Sequence, residues 1–390
     1  MAVEAVAVSD PTLLADIKRV GGFDPRGCYQ CGTCTVSCDI ISDVVHFPRR
    51  TIRYALLGLR QPLRQSIGPW VCHDCGDCSR LCPRDAKPNQ MMTALRRYLT
   101  TQYDWTGLSR LTYRSAAWEI GVLLLVAAFV GLLFTLPHNF GFGLLSRSGP
   151  QALSTVMLDK FAPVSIVHRA DTVMALLLSF FLLTNAGRMF WYLTEGKNIP
   201  ARLYFTELWH LVFQGATQSR WRQCKTNVGN WLRHLFLVTG YVTIFLLVVL
   251  FLPWFQVPDH SFRWTGILGY YSTAAVLVTT IWIIIERARE KPESHLSDWL
   301  FPILLCLTAA SGILVNVLRL NNLPMATYVA YMVHLMIAVP MLVIEVPFGK
   351  WTHLVYRPLA LYVLAVRDSA YQLTTAAGAT SAAEAVPHAI

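Results

Sequence analysis

Six apolar runs between residues 116 and 347 constrain this chain's fold more than any other feature. A helix that crosses a bilayer core needs about 20 predominantly apolar residues. The runs fall near 116–136, 168–193, 232–253, 266–287, 298–319 and 324–347. Inside lipid the backbone has to satisfy its own polar groups, so segments of this length are expected as helices. Composition agrees. Of 390 residues, 54% are hydrophobic and 14% charged, whereas soluble domains carry about 25% charged residues.

Charge in the loops gives the expected orientation. Arg188, Lys197, Arg202, Arg220, Arg222, Lys225 and Arg233 flank the 194–231 loop, and Arg287, Arg289 and Lys291 flank 288–297. The alternate loops, 137–167 and 254–265, hold fewer cations. Positive residues favour the cytoplasmic side, so both termini are expected there, in a multi-pass protein of the cytoplasmic membrane. The net charge of +10 is accounted for in this way, and no nucleic-acid partner is expected. The start, MAVEAVAVSDPTLLADIKRV, lacks the basic opening and continuous apolar core of a signal peptide.

Ahead of the apolar runs, eight of the ten cysteines form two quartets. Cys28, Cys31, Cys34 and Cys38 make the first; Cys72, Cys75, Cys78 and Cys82 make the second. Both read C-x2-C-x2-C-x3-C, the spacing of paired [4Fe–4S] sites. Three cysteines spaced two apart wrap three corners of a cubane, and the fourth ligand comes from elsewhere. In two-cluster ferredoxins the last cysteine of each run ligates the other cluster. That rule assigns Cys28, Cys31, Cys34 and Cys82 to one cluster, and Cys72, Cys75, Cys78 and Cys38 to the other. Each cysteine has its counterpart 44 residues later, an internal repeat. Disulfides fit poorly with a reducing cytosol, and a zinc ribbon uses two C-x2-C pairs rather than two runs of four. Cys224 and Cys306 stand alone, Cys306 as a small buried hydrophobe.

Ile52, Ala55, Leu56 and Leu59 recur at helical spacing between the quartets, and NQMMTALRRYL reads as a second short helix. The expected fold class is therefore all-α. A helical ferredoxin-type domain over 1–110 carries two [4Fe–4S] clusters, and a six-helix transmembrane domain covers 111–360. A cytoplasmic tail over 361–390 is disordered at its low-complexity end. The amphipathic stretches 201–218 and 351–366 are expected at the interface, against a partner, or over the end of the bundle.

Ionisable residues within spans mark function. His168, His234, His334 and His353 lie in or at the ends of spans, and opposed imidazoles are axial ligands of b-type haem. Pairing by depth matches His168 with His334, and His234 with His353. On one continuous helix the last two stand about 28 Å apart, with a phase error of about 100°. A kink at Pro340, Pro347 or Gly349 would have to correct it. Arg169 is a candidate partner for a haem propionate. Asp171, Asn316, Arg319 and Glu345 are costly in lipid and are candidates for a quinone or its protons. His73 is a candidate for tuning the second cluster through a hydrogen bond.

These residues carry a family resemblance. CYQCGTCTVSC, PRRTIRYALLG and WVCHDCGDCSRLCPRDAKPNQMMTALR resemble the iron–sulfur C subunit of heterodisulfide reductase. HLFLVTGY and YMVHLMIAVPMLVIEVPFGKWTHLVYRP are similar to the cytochrome b (E) subunit of that system, and more distantly to the gamma subunit of respiratory nitrate reductase. A fusion of the two resembles the C subunit of the quinone-interacting membrane-bound oxidoreductase complex. The resemblance implies two [4Fe–4S] clusters, two b haems, a menaquinone site and two soluble flavin/iron–sulfur partner subunits. It also implies a link between menaquinol and adenylylsulfate reductase. By motif, His334, His353 and His234 inherit haem roles, whereas His168 has no counterpart. Asp39 stands where a proline often follows a cluster run.

The leading expectation is a subunit of a quinone-linked oxidoreductase. Within that class, a heterodisulfide-reductase-type subunit with another acceptor is the alternative. A haem-free membrane anchor and an ion-translocating subunit using Asp171 and Glu345 are alternatives from other classes. No G-x-G-x-x-G lies between a strand and a helix, so no nucleotide or flavin site is expected.

Overall fold

A computed structural model describes residues 8–21, 25–135, 154–223, 228–256, 261–290 and 295–384. These residues are helical, and the isolated bridge Ser42–Val45 is their only extended pairing. Cys224, Lys225, Lys291, most of the 137–167 loop and the last residues of the tail lie outside them. The chain divides into two compact units. One takes Met1–Arg110, Thr184–Val228 and His353–Ile390; the other takes Leu111–Leu183 and Gly229–Thr352.

The first unit is built around the helix Pro88–Tyr103. Proline at its first position costs no hydrogen bond, because that N–H is unpaired in any helix. Met91, Met92, Leu95, Tyr98 and Leu99 share one face and are buried with Leu13, Ile17, Ile52 and Leu63. Arg60 ties the N-terminal helix Leu13–Arg19 to this core. Its guanidinium donates to Asp10 at 2.7 Å, to Asp16 at 2.9 Å and to the Tyr98 hydroxyl at 2.7 Å. Arg97 donates to the carbonyls of Val20 at 3.1 Å and Gly21 at 2.5 Å, closing the same helix at its C-terminal end.

The cysteine repeat is also a backbone repeat. Gln30 and Asp74 adopt positive φ (both 57°), and so do Gly32 (94°) and Gly76 (83°). Gly32 and Gly76 then open the one-turn helices Thr33–Val36 and Asp77–Arg80. A left-handed residue followed by one helical turn curls the chain tightly enough for three cysteines to face one centre.

The sequence places an amphipathic stretch at 351–366 and a tail disordered at its low-complexity end. Instead, one helix runs His353–Glu384, and its Tyr356, Leu361, Tyr362, Val363, Leu364 and Val366 are buried in the first unit. Tyr356 meets Trp70 edge-on at 5.2 Å and Tyr103 at 5.7 Å. The 201–218 stretch forms two helices, Ala201–Thr206 and Trp209–Thr217, beside it. The Tyr362 hydroxyl donates to the Tyr204 carbonyl at 2.6 Å, and Ser369 donates to Glu207 at 2.9 Å. The low-complexity end expected to be disordered, 374–390, is thus helical as far as Glu384, and its last six residues lie outside the described ones.

Among the described residues, six helices are long and apolar enough to cross a membrane: Ala116–Thr135, Val164–Thr194, Val228–Val249, Thr265–Arg289, Leu296–Leu320 and Pro324–Phe348. Within the second unit, Leu296–Leu320 packs between Thr265–Glu290 and Pro324–Pro340, which in turn packs on Ala116–Thr135. Small residues permit the closest approach. A methyl added at Gly240 would stand 2.8 Å from the Ala275 Cβ, and Ser272 donates to the Gly240 carbonyl at 2.8 Å. Phe134, Phe161, Tyr328 and Tyr331 stack into an aromatic core with Val130, Val167 and Leu252.

The last span is irregular and ends before His353. Its first α-helical part runs Pro324–Pro340, a π-turn follows over Met341–Glu345, one α-turn covers Val346–Phe348, and the chain is extended at Gly349. A 3-10 turn, Lys350–Thr352, precedes the new helix at His353. The 28 Å spacing and phase relation between His334 and His353 assumed a continuous helix, so both lapse. The two histidines belong to different units.

Candidate functional site

Two cavities in the first unit bring the cysteines together in crossed sets. Cys28, Cys31, Cys34 and Cys82 line one; Cys38, Cys72, Cys75 and Cys78 line the other. The cysteine that follows each short helix, Cys38 or Cys82, lines the other run's cavity. Among the described residues no three His, Cys, Asp or Glu side chains converge on a single metal ion. The thiols instead surround a space, as a polynuclear group requires.

The two sites differ in exposure. Cys31 is exposed and Cys28 half-buried, whereas Cys72 and Cys78 are buried. We call the first site outer and the second inner. At the outer site Arg84 covers the Tyr29 ring at 4.3 Å, and Cys31 pairs with the Thr33 hydroxyl at 3.4 Å. That hydrogen bond lowers the Cys31 pKa. Burial raises Cys34, and raises Cys38 to about 11, with Cys72 and Cys75 adding to the Cys38 shift. Such thiols are costly to ionise alone, and a bound cationic iron core removes that cost. Backbone N–H groups already point at sulfur: Asp74 to Cys72 at 3.4 Å and Ala86 to Cys82 at 3.3 Å.

His73 lines the inner cavity. Burial, reinforced by Arg357, Arg96 and Arg220, holds its pKa far below the usual imidazole range, so the ring is neutral. Arg357 donates to its Nδ1. A guanidinium cannot accept, so the ring proton lies on Nε2. Nε2 is buried and faces the Arg220 backbone. Four thiols around each of two enclosed spaces, with backbone N–H groups aimed at sulfur, fit a cluster at each. His73 also stacks on Trp221 at 5.5 Å, with Arg357 5.3 Å from the same ring. Sequence reasoning found His73 and missed Arg357, 284 residues away.

The membrane residues are more dispersed. Nδ1 of the half-buried His334 pairs with the Ser311 hydroxyl at 2.9 Å. Such a bond fixes a ring's tautomer and orientation, as ligating histidines require. His168 lies on Val164–Thr194 with a buried Nδ1 that has no protein partner. Asp171 lies one turn further along, within electrostatic reach of Tyr331. The Nε of Arg169 donates to the Ser165 carbonyl of its own helix at 3.0 Å. His234 is half-buried in Val228–Val249, and His353 opens the last helix of the first unit.

Arg319 donates to the Ser261 carbonyl at 3.0 Å and to Asn316 at 2.9 Å, at the C-terminal end of Leu296–Leu320. Glu345 is fully buried, and Glu119 is its neighbour. Lys350 lies within the electrostatic reach of Glu345 and contacts Asp298 at the opposite end of Leu296–Leu320. Twenty-odd helical residues separate the two ends by roughly 30 Å. Arg319 and Glu345 therefore cannot share one quinone site. Glu119 was missed, although a lone acid inside an apolar run is the signal that singled out Glu345.

Among the described residues, these features define an all-helical protein with two four-cysteine centres and six helices long and apolar enough to cross a membrane. The 4Fe-4S dicluster domain family matches residues 25–86, which hold both quartets. The N-terminal region resembles the C subunit of heterodisulfide reductase. It is 33% identical over 88 residues to a protein of Archaeoglobus profundus described as like that C subunit, covering 22% of this chain and 47% of the relative. It is 41% identical over 71 residues to the C2 subunit of the H(2)/formate:CoB-CoM heterodisulfide,ferredoxin reductase of Methanococcus maripaludis, covering 18% and 38%. The chain thus spans less than half the length of these curated relatives. No solved structure matches.

Proposed function

We propose that this chain is the membrane electron-transfer subunit of a respiratory oxidoreductase. It passes electrons between menaquinone or menaquinol and a cytoplasmic flavin/iron–sulfur partner, in a complex that serves adenylylsulfate reductase. The observation that carries the reading is the graded pair of cysteine cavities. The outer one faces a partner that must approach from water. The inner one is held by Arg357, on the helix that follows the last span.

Two [4Fe–4S] clusters supply one-electron carriers when bound. Cys28, Cys31, Cys34 and Cys82 would hold the outer cluster, and Cys72, Cys75, Cys78 and Cys38 the inner one. Two b haems would extend the carrier set into the helices. His334, oriented by Ser311, is the best-supported haem ligand, and His168 has a ring nitrogen to spare. His234 and His353 rest on motif resemblance, and Arg169 is assigned to a propionate. The separation of Arg319 from Glu345 favours Asp171 or Glu345 over Arg319 as the proton-handling group of a quinone site. Loop charge supports the sidedness, with both termini cytoplasmic.

A dithionite-reduced minus oxidised visible spectrum of the purified chain tests the haem assignment. A b-type α-band is expected, with one haem lost in His334→Ala and one in His234→Ala. A spectrum without the band would leave a haem-free anchor or ion-translocating subunit, and the buried Glu119 and Glu345 favour the latter. Co-purifying soluble subunits distinguish the sulfate-respiration role from a heterodisulfide-reductase-type role with another acceptor.

A further inference from the structure

A cavity of about 390 Å³ opens in the first unit, with no cysteine in its lining. Its walls come from the helix Arg49–Leu56, the segment after Thr194, and the helix His353–Glu384. Arg50, Lys197, Arg367 and His46 line it, and no Asp or Glu does. Ile199, Tyr371 and Val44 supply apolar wall.

The cations are poorly compensated. Arg367 donates to the Leu193 carbonyl and, at 3.4 Å, to the Gln65 carbonyl, while its Nε is buried with no protein partner. Burial and the neighbouring Arg367 push the Lys197 pKa down to about 8. The nearest carboxylates are engaged elsewhere. Glu195 offsets part of the Lys197 charge and accepts from Gln65 at 3.4 Å. Asp368 accepts from Ser42 at 3.4 Å and faces Arg220. Two half-buried cations facing one space are stabilised by a counter-charge.

We infer that this cavity binds the phosphodiester of an anionic phospholipid head group. Guanidinium and ammonium donors together match phosphate oxygens. The lipid source follows from position and lining. Lys197 stands just past the end of the span Val164–Thr194, where head groups lie. The apolar wall beside the cations suits a glycerol and the first acyl carbons rather than a freely hydrated ion.

Full-length protein, purified from membranes in mild detergent and washed, should retain about one phospholipid per chain by native mass spectrometry. Phosphatidylglycerol in mixed micelles should rebind to stripped protein, about tenfold more weakly in Lys197→Gln and normally in Lys197→Arg. The Arg50→Gln variant changes an exposed side chain and should also weaken binding without affecting folding. Inorganic phosphate at tens of millimolar should not displace the lipid. Undiminished binding in Lys197→Gln and Arg50→Gln would overturn the site. Displacement by inorganic phosphate would overturn the lipid assignment in favour of a free anion.

Discussion

Arg357→Gln isolates the feature that distinguishes the inner cluster site from the outer one. Arg357 donates to His73, lies 5.3 Å from the Trp221 ring, and acts with Arg96 as positive charge facing Cys72. Reducing a cluster adds one negative charge, so a nearby cation raises its potential. A unit charge on the order of 8 Å away, at an effective dielectric near 20, contributes about 2 kcal/mol. At 59 mV per tenfold change for a one-electron couple, that is about 90 mV. The inner cluster's midpoint should therefore fall by roughly 50–100 mV in Arg357→Gln, while the outer one moves much less. Arg357→Lys keeps the charge and should retain most of the potential, although it loses the planar donor that fits His73.

The assay is an EPR-monitored redox titration of the purified full chain, with iron measured alongside to show that both clusters are present. The signal lost in Cys28→Ser identifies the outer cluster. If both midpoints stay within about 20 mV of wild type, Arg357 does not set the inner potential. A shift confined to the signal lost in Cys28→Ser would place the charge at the wrong cluster and refute the inner/outer assignment.

Three further outcomes follow from the same geometry. If the fourth ligands cross over, Cys38→Ser removes the signal lost in Cys75→Ser, and Cys82→Ser removes the one lost in Cys31→Ser; each leaves about four of eight irons. A match between Cys38→Ser and Cys31→Ser would show pairing within each quartet instead. Lys197 is held near a pKa of about 8 when folded, against 10.5 in the unfolded chain. More protons are then bound by the unfolded state between those values, and its penalty on folding eases as pH rises from about 8 to 10.5. Lipid-stripped wild type should gain stability over that window relative to Lys197→Met in thermal melts, and parallel profiles would count against it. Gly240→Val forces side-chain carbon into the Ala275 and Val276 contact and should cost about 1–3 kcal/mol. An unchanged melting temperature in detergent would mean that the two helices do not meet there.

The spans were legible because apolar length is a local property. The apolar pattern starts the second span at 168, whereas the helix begins at Val164. His168, Arg169 and Asp171 interrupt that pattern without interrupting the helix. The break after Pro340 was only half legible. Pro340, Pro347 and Gly349 marked a bend, but MLVIEVPF is almost wholly apolar and gives no sign that the chain leaves α-helical geometry at Met341. The packing of the helix His353–Glu384 was left open for a related reason. Its aromatic and aliphatic residues look interfacial, and only the tertiary fold shows Tyr356 meeting Trp70 and Tyr103.

The cysteine sites show how far spacing carries. Four positions in a fixed rhythm specify a curled loop, and the rhythm is visible because every constraint lies within eleven residues of chain. What surrounds the inner site is not local. His73 could be singled out beside Cys72, but the residue that fixes its proton stands 284 positions away, and no periodicity connects them. Arg357 belongs to the helix that resumes after the last span, so the inner cavity is completed only once that part of the chain has folded back onto the first unit. The outer cavity draws all four cysteines from the first 82 residues and needs no such return. Truncation before His353 would remove the inner site's charge and imidazole partner together with the Tyr356 packing on Trp70 and Tyr103, and the iron such a chain retains, measured against wild type, reports how far the outer site assembles without that return.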